Sequence, residues 1–144
     1  MWEMCEVIDK ILLLGGLFGI AWLDYRTQLI KGGWLLLMGI TGGIFAVLQG
    51  EGQLDAGTFS GVLIGIGILI FAYVSGESIG LGDGWLFVVT GTYLTFWENF
   101  VLLFGSMLLA GIFASICLIL KRKNKNERMA LAPFVLMGYV VFVL

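Results

Sequence analysis

Histidine is absent from this 144-residue chain, proline occurs once and cysteine twice. Without imidazole the chain lacks the commonest metal ligand and the commonest general base near neutral pH, so neither a metal site nor a cofactor is expected. Cys5 and Cys117 fall near opposite ends of different apolar segments, too far apart to bridge, and their spacing is not that of a metal-binding pair. Charge is also scarce, at 12% of residues with a net of −2, which argues against nucleic acid as a partner. The opening residues Met1-Trp2-Glu3-Met4-Cys5-Glu6 include no basic group. A cleaved secretory signal is therefore not expected, and the first helix should be retained.

What remains is apolar. At 60% hydrophobic residues and a mean hydropathy of +1.03, the chain lies outside the range of a soluble domain. Six stretches carry no charge: 11–23, 32–50, 56–76, 84–97, 99–120 and 129–144. A helix crosses the hydrocarbon core with about 20 apolar residues. Stretches 32–50, 56–76 and 99–120 meet that length and 129–144 is somewhat shorter. Stretches 11–23 and 84–97 are short by roughly 6 residues, about 9 Å of helix. Continuous apolar runs without period-two alternation disfavour a β-barrel. The expected fold is an all-α integral membrane protein of six transmembrane helices, one domain over 1–144, with a buried re-entrant hairpin as the alternative to a full set of crossings.

Lys and Arg near span ends stay in the cytoplasm. Alternate loops receive Arg26, Lys31, Lys121, Arg122, Lys123, Lys125 and Arg128 on one side and only Lys10 on the other. Both termini are thus expected on the non-cytoplasmic side of the cell membrane, with the loops around 24–32, 76–84 and 121–128 inside. The basic run 121–128 reads as an anchor against anionic lipid. Glycines four apart, at Gly15/Gly19, Gly39/Gly43 and Gly57/Gly61/Gly65, read as strips for close helix packing within the chain. The oligomeric state is not legible.

With charge so rare, the two carboxylates at the cytoplasmic ends of the short segments stand out. Asp24 closes the first and Asp83 opens the other. Both should be semi-buried, where an intramembrane Asp costs up to ~2.5–3.5 kcal/mol unless it pairs or functions. Two facing carboxylates in a low dielectric share one proton. The ionised member can then take a proton from water while the protonated one polarises a scissile carbonyl and later protonates the leaving amine. Asp83 sits in Gly80-Leu81-Gly82-Asp83-Gly84, where glycines allow unusual backbone angles and close approach of a substrate strand. The bland reading is a Gly-rich loop with an Asp at a helix start.

Gly80-Leu81-Gly82-Asp83 resembles the G-x-G-D signature of polytopic intramembrane aspartic peptidases. Leu23-Asp24-Tyr25-Arg26, followed by Ile30, resembles the first-aspartate motif of type IV prepilin peptidases. Glu77, six residues before Asp83, and Pro133-Phe134 also match that family's pattern. The resemblance implies an aspartic endopeptidase with Asp24 and Asp83 catalytic, Gly80, Gly82 and Gly84 in the active-site loop, and Glu77 and Arg26 as supporting residues. It implies a prepilin or pseudopilin substrate, cleaved after a short basic leader at the cytoplasmic face. Lys31 and Trp85 depart from the family's usual Pro and Lys, so no role is carried to them. There is no room for the methyltransferase module of larger members, and a peptidase-only member is expected.

Two other readings compete. In a small transporter or channel subunit, Asp24 and Asp83 would be proton or cation ligands; the lack of charge in 32–50, 56–76 and 99–120 speaks against it. An inactive assembly partner would have no reason to keep both aspartates.

Overall fold

The computed structural model describes residues 2–27, 32–49, 56–76, 81–120 and 131–143. These residues form helices and turns, without a strand: α1 (Trp2–Thr27), α2 (Gly32–Gln49), α3 (Ala56–Val74), α4 (Leu81–Tyr93), α5 (Phe96–Ile119) and α6 (Ala132–Gly138), which continues as a wider π-type turn over Tyr139–Val143. Helices α2, α3 and α5 are each long and apolar enough to cross a membrane. Large apolar side chains cover the outside, including Trp22, Ile44, Phe71, Phe104 and Ile112. Such a surface belongs in lipid rather than water.

The two short segments resolve differently. α1 is not short, because the helix continues through the polar residues before Ile11 and reaches 26 residues, about 39 Å of rise. Polar side chains end an apolar stretch, but they do not end a helix whose backbone is satisfied internally. α4 does stay short, with 13 residues, or about 20 Å against a hydrocarbon core of ~30 Å. It can be short because it is largely enclosed: it contacts α1, α2, α3 and α5, and Gly84, Leu86, Phe87, Val89, Thr90 and Gly91 are all buried. A helix lined by protein need not match the lipid thickness.

Glycine sets how closely α3 and α4 approach. A Cβ on Gly61 would overlap the Leu94 carbonyl and lie 2.7 Å from the Gly91 oxygen, and one on Gly91 would lie 2.6 Å from the Val62 nitrogen. Of the three glycine strips, the one on α3 makes this contact, whereas Gly15 and Gly43 face open space. A buried amide reinforces the seam. Asn99 of α5 donates to the carbonyls of Gly61 (2.8 Å) and Phe87 (3.1 Å) and accepts from the Thr90 hydroxyl (2.8 Å), joining α3, α4 and α5.

Element ends follow local chemistry. Gly76, at φ 64°, lets the chain turn after α3. At the start of α5, the Glu98 carboxylate accepts from both the backbone N–H and the hydroxyl of Thr95, each at 3.0 Å, a capping arrangement. The core is a single cluster in which Leu13, Leu17 and Ile20 of α1 meet Leu86 and Phe87 of α4, Leu102 of α5 and Val135 of α6.

Candidate active site

Asp24 lies one turn before the end of α1 and is only 4% exposed. Its Oδ2 accepts the backbone N–H of Ala132, at 3.1 Å, across 108 residues of sequence. The start of α6 makes this bond possible. Pro133, in the first turn, has the fixed φ of a helix start and no N–H of its own, and first-turn N–H groups have no partner within the helix. Ala132 is itself fully buried, and its methyl side chain lets α6 lie close to α1.

Asp83 occupies the first turn of α4 and is half-buried. It lies within electrostatic reach of Asp24, so two helices far apart in sequence bring the two carboxyl groups to one end of the bundle. Gly84 seats that turn on α3, since a Cβ there would lie 2.7 Å from the Leu69 side chain. The α3–α4 seam thereby sets the depth of Asp83.

A family model described as the type IV leader peptidase family matches residues 11–115, well over half of the chain and inclusive of both aspartates. The chain belongs to that family. It is accordingly a leader-peptidase-type protease built from membrane-type helices. No curated protein and no solved structure matches the chain.

The other expected site residues of this leader peptidase fare unevenly. Gly82 is half-buried and Gly84 buried beside Asp83, whereas Gly80 and Glu77 lie outside the described residues, as does Lys31. Arg26 is not brought to the aspartates. It is exposed, and its guanidinium lies over the Trp22 ring, 5.6 Å from the centroid. Trp85 is 54% exposed. Phe134 of the Pro133-Phe134 pair packs against Phe113, with centroids 5.3 Å apart. Among the described residues no three His, Cys, Asp or Glu side chains converge as a metal site would require.

Sequence reasoning missed three features of the leader peptidase. The Ala132 N–H is a backbone group and leaves no side-chain signal, although the single proline beside it marks a helix start. Asn99 was legible as an amide opening the charge-free run 99–120. Asp9 is buried at the other end of α1 and accepts from the Gln49 side chain; it was masked in the sequence by its charged neighbours Glu6 and Lys10.

Proposed function

We propose that this leader peptidase is an intramembrane aspartic endopeptidase in which Asp24 and Asp83 form the catalytic pair. Its substrate is a prepilin or pilin-like protein, cut after its leader at the cytoplasmic face. One observation carries the reading. Two carboxyl groups from separate helices, α1 and α4, lie at one end of the helical bundle, with Asp24 close enough to act electrostatically on Asp83. Such a pair holds one proton between its members and supplies a base and an acid without metal or cofactor. The half-buried Asp83 and its glycine neighbours leave the acid reachable by an extended substrate backbone.

The leader specificity rests on the motifs around Asp24 and Asp83 and on the family. The cytoplasmic location rests on the seven basic residues on the aspartate side of the chain against one on the other. With six crossings, both termini lie outside. In this reading the first turn of α4, with Gly82 beside Asp83 and Gly84 seated against Leu69, presents Asp83 to the substrate within a single peptidase domain, and Gly80 and Glu77 are supporting residues.

The test is cleavage of a prepilin-type leader substrate by the protein in proteoliposomes. Asp24→Asn and Asp83→Asn should each abolish cleavage while inserting normally, and a variant that keeps a tenth of the wild-type rate would overturn the pair. For topology, external labelling should reach a cysteine at position 53 and miss one at position 124; the reverse pattern would refute a cytoplasmic site. A transporter would need a polar route from the aspartates to the far end. The buried Thr90 and Asn99 are instead tied to each other and to backbone carbonyls, and Ser106 donates to the Leu102 carbonyl; ion or proton flux through the vesicles is expected to be absent.

A further inference from the structure

The two aspartates have unequal surroundings. Asp24 exposes the smaller share of its surface, and burial bears on both carboxyl groups. Yet Asp24 alone receives a hydrogen bond, from Ala132 N–H at 3.1 Å, while Asp83 accepts none among the described residues. A backbone N–H can only donate, and it binds an ionised oxygen more strongly than a neutral one. Among the described residues few other groups can weigh on the balance. Of the described elements packed against this end of α1, α2 and α6 contain no titratable side chain, and α4 brings Asp83. On α1 itself, Tyr25 and Arg26 are exposed.

We propose that the Ala132 N–H holds Asp24 as the ionised, water-activating member of the pair and leaves the shared proton on Asp83. The inference rests on the catalytic-pair reading above. In the resulting step, a water O–H proton passes to Asp24 as the water oxygen bonds to the scissile carbonyl carbon. The carbonyl oxygen takes the proton of Asp83, giving a neutral gem-diol. On collapse the C–N bond breaks, the leaving nitrogen takes the proton from Asp24, and one gem-diol hydroxyl returns its proton to Asp83. The pair ends as it began, and one water has been consumed. Ala132 is a positioning residue here, acting through Asp24 by its backbone and not by its side chain.

An ester at position 132, with lactic acid in place of Ala132, deletes the N–H and keeps the methyl group. Loss of one donor should move the acid limb of kcat/KM against pH upward by about half a unit to one unit, with the alkaline limb unchanged. An upward move of the alkaline limb alone would mean that Asp24 carries the proton, and no move of either would mean that the N–H does not matter; each overturns the assignment while leaving the pair intact. Should the ester chain fail to fold, infrared spectra of the Asn variants give the answer without activity. The protonated-carboxyl band of the wild type at neutral pH should vanish in Asp83→Asn. Its persistence there, with loss in Asp24→Asn, would overturn the proposal. Residual cleavage by either Asn variant would instead count against the catalytic pair itself, so the two failures are distinguishable.

Discussion

The two ends of the bundle both gather polar groups, but they use them in opposite ways. At the far end from Asp24, most of the described charges are tied to a partner. Lys10 pairs with Glu6 at 2.9 Å, Asp9 accepts from Gln49, Glu98 caps α5, and the Tyr139 hydroxyl donates to the Lys10 carbonyl at 3.2 Å. One oxygen of Asp9 is left without a protein partner. At the aspartate end Asp24 acts electrostatically on Asp83, and among the described residues the pair receives one hydrogen bond, from the Ala132 N–H to Asp24. Paired charges hold helices in register, whereas an under-partnered pair keeps its proton affinity available for chemistry. The contrast supports the proposal that the near end is the site and the far end architecture.

The largest effect that can break this contrast is on turnover. Asp24→Asn and Asp83→Asn should each lower leader cleavage by ~10³-fold or more, the scale of a lost acid or base. Asp9→Asn, which keeps the shape and much of the bonding at the other end, should leave the rate within about threefold and instead lower the thermal midpoint slightly. A comparable loss of turnover in Asp9→Asn would abolish the distinction between the two ends.

Next in size come the glycines that set the α3–α4 distance. Gly61→Val or Gly91→Val forces backbone apart from backbone and should cost at least about 1–3 kcal/mol, the usual scale of overpacking, read as a lower unfolding midpoint in detergent. Turnover should fall as well, because displaced α4 carries Asp83. Gly15→Ala and Gly43→Ala, which meet open space, should be neutral or stabilising by up to about 1 kcal/mol in a helix interior.

The Asn99 clamp should matter less. Asn99→Leu leaves the carbonyls of Gly61 and Phe87 without their side-chain donor and should cost ~1–2 kcal/mol, given the modest strength of side-chain hydrogen bonds in membrane proteins. Comparison with Asn99→Leu/Thr90→Val, in which both polar partners are gone, would isolate their coupling. Smallest of all should be Arg26→Gln, which removes an exposed contact with Trp22 worth about 0.5–1 kcal/mol. A large loss of cleavage there, with stability unchanged, would show that Arg26 serves the site through the substrate.

Much of this protein was determined by the sequence alone, because composition and charge placement act through the solvent. The apolar runs dictate helices in lipid, the scarcity of charge makes Asp24 and Asp83 conspicuous, and the glycine spacing on α3 announces a close contact. What the sequence could not decide depends on neighbours. The length of α1 was hidden because helix ends are set by backbone satisfaction, not by where apolar residues stop. The shortness of α4 is tolerable only because four other helices shield it. That Arg26 leaves the site, that Asp9 and Gln49 meet, and that a backbone N–H from residue 132 reaches a carboxyl group at residue 24 all follow from packing between distant segments. A main-chain donor is the same in every residue except proline, so its choice of partner is invisible until the chain is folded.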